Sequence, residues 1–273
     1  NFITVNKKTG KPFFAYISTN APHGPMHAPQ KYADMYPDLK LRDQHFYGMI
    51  TNIDDNVGAM RKFLSDNDLA DNTIFIFTTD NGSVGTKLYD ASMRGSKGSE
   101  YDGGHRVPFF LSWPAGGFQK NVVTELTGHV DITPTLLEMC SVENKAGVKF
   151  DGVSIKDLLD PKKDVQWPER MLVTDSQRVK DPIKWRKSAV MSSQYRLING
   201  EQLYDIKADP KQANNIAAQH PEVVKSMRAF YDEWWADIEP SFKNPAHIIL
   251  GNPAENPSRL TCHDWITTGS TPW

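Results

Sequence analysis

The sequence lacks the features that mark several large classes of protein. Only two of its 273 residues are cysteines, Cys140 and Cys262, which suggests neither a disulfide framework nor a zinc site. Whether these two cysteines pair with each other is left open. No run of about 18 apolar residues occurs, so we predict no membrane span. The formal net charge is −2, which gives no electrostatic basis for binding nucleic acid or an anionic membrane.

The composition is that of a globular protein. Hydrophobic residues make up 39% and charged residues 23% of the chain, and no internal repeat or low-complexity segment is present. The length suffices for one large domain, or for a domain with a subdomain. No signal peptide is visible, but the chain begins at Asn1, so this absence carries no information. An anionic substrate would have to meet local positive charge.

A buried strand that runs directly into Asp-Asn-Gly is the first candidate for a functional site. Residues Thr73–Thr79 read TIFIFTT, and Asp80, Asn81 and Gly82 follow at once. A run that is apolar on both faces is typical of a central parallel strand, and functional groups collect beyond the carboxyl ends of such strands. Carboxylate and amide oxygens suit Ca²⁺ or Mg²⁺. The alternative interpretation is a polar turn.

Two further segments carry complementary chemistry. Residues 94–108 read RGSKGSEYDGGHRVP, a glycine-rich loop in which backbone N–H groups and nearby cations can approach an oxyanion. The alternative is a flexible, solvated loop. Upstream, a predicted strand over Pro12–Ser18 leads into TNAPHGPMHAP, where prolines stiffen the backbone around His23 and His27. We interpret His27 as structural.

The order of these motifs resembles the formylglycine-dependent sulfatases, which belong to the alkaline-phosphatase-like superfamily. The similarity extends over most of the chain, and the tail after about residue 240 is the part where it is weakest. No single motif is unique to the family, but their order and spacing together are specific. The segments that carry the resemblance are 21–29 (APHGPMHAP), 46–82, 94–114, 131–137 (DITPTLL) and 202–217 (QLYDIKADPKQANNIA).

The resemblance implies a fold and a division into domains. We expect an α/β fold, with a partial doubly wound sheet of the alkaline-phosphatase-like type and a small antiparallel sheet packed against one helix. Residues 1–150 would form the C-terminal part of the main α/β domain, residues 151–240 the C-terminal subdomain, and residues 241–273 an irregular tail.

The resemblance also implies roles for particular residues. Asp80 and Asn81 match metal ligands, for which the family commonly uses Ca²⁺. Lys97 matches the lysine that binds a sulfate oxygen, and His23 matches the histidine that contacts the sulfate and the leaving oxygen as a general acid. His105 and Arg106 are candidates for substrate contacts, although pairing of Arg106 with an acidic neighbour is an equally good interpretation.

One departure from the family is as informative as the match. The nucleophile of the family lies in a Cys/Ser-x-Pro-x-Arg motif whose first residue is oxidised to formylglycine, and neither cysteine of this chain lies in that motif. The family's first two aspartate ligands also have no counterpart. We therefore expect the chain to be roughly the C-terminal half of a sulfatase, inactive alone and able to self-associate through apolar surface that another part would cover.

Two alternatives to a sulfatase stay open at this stage. The first is a phosphodiesterase or phosphonate hydrolase of the same superfamily, and the second is a binding module without catalysis. The expected partner is a sulfated small molecule or saccharide, with no nucleic acid and no membrane span. By the same resemblance, the expected location is periplasmic, secreted or lysosome-like.

Periodicity predicts several elements without reference to any family. Apolar residues at three- and four-residue steps predict a helix over Asp43–Leu64, and Asp131 is a candidate cap for the helix that follows it. Asn199-Gly200 predicts a two-residue hairpin turn. The last helix, Pro221–Ile238, carries an aromatic stripe that we interpret as core packing. Short strands are predicted at 107–112, 171–173, 188–191, 195–198 and 202–204.

Overall fold

A computed structural model of the chain describes residues 2–84 and 89–243. Contacts group the chain into two compact units. The first comprises the residues up to Thr73 together with Trp113–Ala115, and the second comprises Ile74–Ser112 and the residues from Gly116 onward. The domain boundary expected after residue 150 stays a prediction. The expected irregular tail, including Cys262, lies outside the described residues except for positions 241–243.

Among its described residues, the first unit contains three helices, α1 (Phe2–Thr9), α2 (Gln30–Ala33) and α3 (Leu41–Asp66). Helix α3 confirms the helix predicted from apolar periodicity, and its residues Phe46, Met49 and Leu64 are buried as that pattern requires. The Tyr32 hydroxyl of α2 donates a hydrogen bond to Asp55 Oδ2 of α3 at 2.8 Å. Packing and this hydrogen bond together hold α2 against α3.

The strand predicted over Pro12–Ser18 is wrong. Residues 11–20 form neither helix nor strand, and Phe14, Tyr16 and Ile17 are exposed. An apolar segment becomes a strand only when neighbouring strands accept and donate its backbone hydrogen bonds. No described strand pairs with this segment.

The second unit begins with a two-stranded antiparallel sheet of β1 (Phe75–Thr78) and β2 (Phe109–Ser112), in which Thr78 pairs with Phe109. Both strands were predicted, but β1 was expected to be a central parallel strand, and its pairing with β2 is antiparallel. The pairing is antiparallel because the chain turns back after β1, and β2 begins beside the last residue of β1. Residues 79–108 therefore leave and rejoin the sheet at the same end.

A four-stranded antiparallel sheet and one long helix form the other part of the second unit. The strands are β3 (Leu172–Asp175), β4 (Ser188–Met191), β5 (Tyr195–Ile198) and β6 (Gln202–Asp205), paired in that order. Helix α6 (Pro221–Ile238) packs on the sheet. This arrangement confirms the predicted small antiparallel sheet with one packed helix.

The turn between β5 and β6 has the backbone conformation that its residues favour. Asn199 and Gly200 have φ of 52° and 72°, and the Glu201 N–H donates to the Ile198 carbonyl at 3.0 Å. Two successive positive φ values explain the Asn-Gly pair. Because Ile198 pairs with Gln202, the loop has three residues, one more than predicted.

The core of the second unit lies between this sheet and α6. Val190, Leu197 and Leu203 contact Met227 and Tyr231 of the helix, and all five are buried. Burial of each large apolar side chain contributes about 1.5–3 kcal/mol relative to exposure. The aromatic stripe of α6 is therefore core packing, as predicted.

The Asp131 carboxylate does not cap helix α5 (Ile132–Met139), which corrects the prediction. Its oxygens accept hydrogen bonds from the backbone N–H of Gly128 (2.8 Å) and of Val153 (2.9 Å). They also accept one from Arg170 Nη1 at 2.9 Å. These partners outcompete the local cap because they fully satisfy a carboxylate that is only 1% exposed. Asp131 thus joins three separate segments of the chain.

Across the described ranges, no helix is both long and apolar enough to cross a bilayer.

Candidate active site

The chain leaves β1 through Thr79 and places Asp80 and Asn81 directly beyond the strand end. Asp80 is exposed, and its carboxylate forms no hydrogen bond or ion pair with the residues that the structure describes. The Asn81 side-chain N–H donates to the Gly82 carbonyl at 3.0 Å, so Asn81 Oδ1 keeps its capacity as an oxygen ligand. Two adjacent oxygen donors therefore lie at this sheet edge.

The glycine-rich loop is hydrogen-bonded to the same strand end. The Gly82 N–H donates to the Gly104 carbonyl at 2.9 Å, and the Lys97 N–H donates to the Ser83 carbonyl at 2.7 Å. These two bonds hold the Lys97 backbone next to the segment that carries Asp80 and Asn81. The structure thus brings together three of the residues singled out in the sequence.

Close backbone packing explains the glycines in this region. A Cβ atom on Gly82 would lie 1.9 Å from the Gly103 carbonyl oxygen, and one on Gly104 would lie 2.0 Å from the Ser99 carbonyl oxygen. No side chain fits at such distances. The glycines therefore allow the loop to fold tightly onto the strand end.

Replacing Gly104 by alanine is expected to destabilise the protein by about 1–3 kcal/mol, because the new methyl group must displace backbone. Urea unfolding measures this change. Gly58→Ala is the matched control, since Gly58 lies within α3 and a Cβ there meets nothing within 4 Å. The control is expected to be neutral or slightly stabilising. Equal stabilities of the two variants would contradict the tight packing of the loop.

A buried carboxylate fixes the far end of the loop. Asp102 opens the short helix α4 (Asp102–His105) and its side chain is 1% exposed. Asp102 Oδ1 accepts a hydrogen bond from Arg196 Nε of β5 at 3.0 Å, and the Asp102 N–H donates to Gln212 Oε1 at 3.0 Å. The glycine-rich loop is therefore joined to the four-stranded sheet by a buried ion pair.

The two predicted substrate contacts differ in their environment. The Arg106 side chain is 59% exposed and its Nη1 lies 3.8 Å from Asp102 Oδ2, which is the acidic neighbour foreseen as the alternative. The His105 side chain is 15% exposed, and its Nε2 lies 3.9 Å from Asp102 Oδ1 and 3.2 Å from the Glu100 carbonyl. The roles of both residues in binding substrate stay predictions.

Burial lowers the pKa of His105, because it disfavours the charged imidazolium. The Asp102 carboxylate raises this pKa in part, and the positive charges of Arg196 and Arg106 lower it further. Because the pKa in the folded protein lies below that of the unfolded chain, the unfolded state binds the proton first as pH falls. The stability that neutral His105 contributes is therefore present above about pH 6.5 and is lost as pH falls below it.

We expect His105→Gln to flatten the pH dependence of stability on the acid side of neutrality. Urea unfolding of both proteins at about pH 7.5 and about pH 5.5 tests this expectation. The difference in stability between parent and variant should shrink at the lower pH. An unchanged difference would show that His105 does not titrate differently in the two states.

His23 lies in the first unit, whereas the other candidates lie in the second. Its backbone N–H donates to the Asn20 carbonyl at 2.9 Å, and its ring Nδ1 lies 2.8 Å from the Gly24 carbonyl oxygen. Because a carbonyl can only accept, Nδ1 carries the proton in this contact. His27 stacks on His45 with ring centroids 5.5 Å apart. The convergence of His23 with Asp80, Asn81 and Lys97 stays a prediction.

The structure adds one residue that the sequence did not indicate. His129 Nε2 lies 2.9 Å from the Thr79 carbonyl and 3.4 Å from Thr78 Oγ1, next to Asp80. Fifty positions separate His129 from Thr79, and a histidine before a helix carries no signal of such a contact. His129 therefore contacts the end of β1 from a segment that lies 50 positions further along the chain.

A divalent cation fits the type of donor found here, but the donor set is small. Asp80 and Asn81 supply hard oxygen ligands, whereas Ca²⁺ takes 6–8 oxygens. No group of three or more His, Cys, Asp or Glu side chains suited to a metal occurs among residues 2–84 and 89–243. Further ligands would have to come from outside the described residues or from water.

Comparisons with known proteins identify the family of this chain. The family model described as Sulfatase matches residues 1–142, and the model described as N-sulphoglucosamine sulphohydrolase, C-terminal, matches residues 96–235. Among curated relatives, an arylsulfatase of Clostridium perfringens is 28% identical over 89% of this chain and 57% of its own length. An N-acetylgalactosamine-6-O-sulfatase of Bacteroides thetaiotaomicron is 29% identical over 83% of this chain and 47% of its own length.

Solved structures show the same fold. Ps i-CgsB in complex with k-i-k-neocarrahexaose has a TM-score of 0.71 at 24% identity, and the match covers 85% of this chain and 52% of the Ps i-CgsB chain. A Bacteroides thetaiotaomicron protein from work on the metabolism of multiple glycosaminoglycans has a TM-score of 0.69 at 26% identity, over 85% of this chain and 52% of its own. The chain spans about half the length of the relatives it matches.

Proposed function

This chain belongs to the sulfatase family, whose fold is of the alkaline-phosphatase-like type, and from that premise we propose that the protein that carries it hydrolyses sulfate esters. One observation supports the proposal most directly. The Lys97 N–H bonds to the Ser83 carbonyl at 2.7 Å, which holds a cationic residue next to the oxygen donors Asp80 and Asn81. A cationic side chain, together with a cation that the oxygen donors would hold, would stabilise the negative charge on the sulfate oxygens as the S–O bond to the leaving alcohol breaks.

In this proposal, each residue has a distinct chemical role. Asp80 and Asn81 hold a divalent cation, with Ca²⁺ favoured because both ligands are hard oxygens. Lys97 binds a sulfate oxygen and stabilises the charge that grows as the ester bond breaks. His105 and Arg106 contact other groups of the substrate.

His23 is proposed as the general acid for the leaving alcohol. With the Nδ1 proton donated to the Gly24 carbonyl, Nε2 is the ring nitrogen through which His23 would pass a proton to the leaving oxygen. The nucleophile that attacks sulfur in this family comes from the formylglycine of a Cys/Ser-x-Pro-x-Arg motif. No such motif occurs in the 273 residues of the chain, and we expect the chain alone to show no turnover.

We propose sulfated sugars or aryl sulfates as substrates. The support is the relatives' names, which include an arylsulfatase and an N-acetylgalactosamine-6-O-sulfatase. A periplasmic, secreted or lysosome-like location is proposed on the same family resemblance. Self-association of the chain is proposed from its exposed apolar side chains, which include Phe14, Tyr16 and Phe110.

Turnover of 4-nitrophenyl sulfate by the complete protein tests the proposed function, with 4-nitrophenyl phenylphosphonate as the competing substrate. We expect hydrolysis of the sulfate, and a loss of roughly 10²–10³-fold in kcat for Lys97→Met. Lys120→Met, which changes an exposed lysine outside the loop, is the matched control. Hydrolysis of the phosphonate with no turnover of the sulfate would replace the proposal by phosphonate hydrolysis.

A further inference from the structure

The connection between β3 and β4 is strongly cationic. Residues 176–187, named here the basic loop, read SQRVKDPIKWRK and carry five lysine or arginine side chains against the single carboxylate of Asp181. The whole chain, in contrast, has a net charge of −2. The positive charge that an anionic substrate needs is therefore concentrated locally.

The basic loop has a fixed shape. Its ends are joined by the Ser176 N–H, which donates to the Lys187 carbonyl at 3.0 Å. The Gln177 side chain bonds to both the N–H (2.8 Å) and the carbonyl (3.1 Å) of Ile183. Trp185 stacks on Tyr231 of α6 with ring centroids 3.8 Å apart. Because the loop is braced internally and anchored to the core, its charges are held in defined positions.

The basic loop begins beside Lys97. Ser176 Oγ donates a hydrogen bond to the carbonyl of Gly98, the residue after Lys97, at 3.3 Å. This contact lies within the second unit. The two ends of the basic loop, Ser176 and Lys187, therefore lie beside the segment that carries Lys97, where the proposed function places the sulfate.

Most of the positive charge on the basic loop has no protein counterpart. Lys184 pairs with Asp232 at 2.8 Å, whereas Arg178, Lys180 and Lys187 are exposed and form no ion pair with described residues. Arg186 Nη1 is buried, with no hydrogen-bond partner among the described residues. This one guanidinium nitrogen therefore has capacity for an acceptor from a ligand or from water.

We propose that the basic loop binds a second sulfate group of a multiply sulfated saccharide while Lys97 engages the sulfate that is cleaved. This inference rests on the proposed function, and it specifies the substrate class of that site. Exposed cations alone are often only solvated. A braced loop that is joined to the Lys97 segment, and in which one guanidinium nitrogen lacks a protein acceptor among the described residues, favours a bound anion over charges that are only solvated.

The test replaces Arg178, Lys180 and Lys187 together by glutamine in the complete protein. The matched control replaces Lys207, Lys211 and Lys225, three exposed lysines of the same unit outside the loop, so both variants lose the same charge. Calorimetry measures binding of a chondroitin sulfate tetrasaccharide and of the same tetrasaccharide after desulfation. Binding needs no turnover, so this result is independent of whether the protein hydrolyses sulfate esters.

We expect the loop variant to bind the sulfated tetrasaccharide roughly tenfold more weakly, and the control to bind like the parent. Affinity should fall with ionic strength, and the desulfated tetrasaccharide should bind weakly to all three proteins. Equal affinities for parent and loop variant, equal weakening in the control, or undiminished binding of the desulfated sugar would each overturn the proposal.

Kinetics separate this inference from the proposed function. If the protein hydrolyses sulfate esters, the loop variant should lose more kcat/KM on the sulfated tetrasaccharide than on 4-nitrophenyl sulfate, which has only one sulfate. Equal losses on both substrates would contradict a second sulfate subsite. If no ester is hydrolysed, the proposed function fails, and the binding measurements alone decide the role of the basic loop.

Discussion

Replacing Asp80 by alanine in the complete protein is expected to lower kcat/KM for 4-nitrophenyl sulfate by about 10³-fold. Asp80 is exposed at the end of β1, and no described residue neutralises its carboxylate. A carboxylate in that position contributes little to folding, but it would supply a negatively charged ligand for the cation. The loss should therefore appear in activity and in bound calcium, while the unfolding midpoint in urea stays close to that of the parent.

The control for this prediction is Asp71→Ala, which removes an exposed carboxylate from the turn before β1. It should leave both activity and calcium content near those of the parent. If Asp80→Ala retains full activity, or if both variants lose activity equally, Asp80 is not a ligand at the site.

Replacing Asp102 by alanine is expected to destabilise the fold by about 3–5 kcal/mol, the largest structural effect that we predict. Asp102 is 1% exposed and Arg196, its partner, is 7% exposed. Removal of the carboxylate leaves a guanidinium buried without a counter-charge, and it removes the ion pair between the glycine-rich loop and β5. Urea denaturation followed by circular dichroism measures the change.

Asp66→Ala provides the comparison for Asp102. Asp66 pairs with Lys62 at 2.7 Å on the surface of α3, and both side chains are more than half exposed. Because solvent screens this pair, its removal should change stability by less than about 1 kcal/mol. Similar stability losses for the two variants would mean that burial does not govern these ion pairs.

Local patterns in the sequence predicted the elements whose stability is local. Helix α3 follows from apolar spacing, and helix α6 from its proline start and aromatic stripe. The turn at Asn199-Gly200 follows from two residues that tolerate positive φ. Each of these elements is determined mainly by residues within a few positions of one another.

Predictions that depended on distant partners were less successful. Asp131 looked like a helix cap, but Val153 and Arg170 bind its carboxylate instead. The apolar segment 12–18 looked like a strand, yet a strand exists only with a partner, and none of the described strands pairs with it. A single sequence does not show which distant groups will meet.

In the candidate site, too, local motifs were predicted and contacts between distant residues were not. Family motifs identified Asp80, Asn81 and Lys97, and the structure holds these three close through backbone bonds. Neither periodicity nor motif indicated the contact of His129 with Thr79, or the ion pair of Asp102 with Arg196, because 50 and 94 positions separate the partners.

The antiparallel pairing of β1 with β2 has a consequence for how this architecture can diversify. Thr78 and Phe109 are paired neighbours, about 5 Å apart as in any antiparallel ladder, so residues 79–108 form a cassette with adjoining ends. Ser176 and Lys187 close the basic loop in the same way. Lengthening a closed loop adds little entropic cost. Insertions in either loop should therefore be tolerated, whereas a transplanted 79–108 segment would also need a partner for the buried Asp102 carboxylate, which Arg196 supplies here.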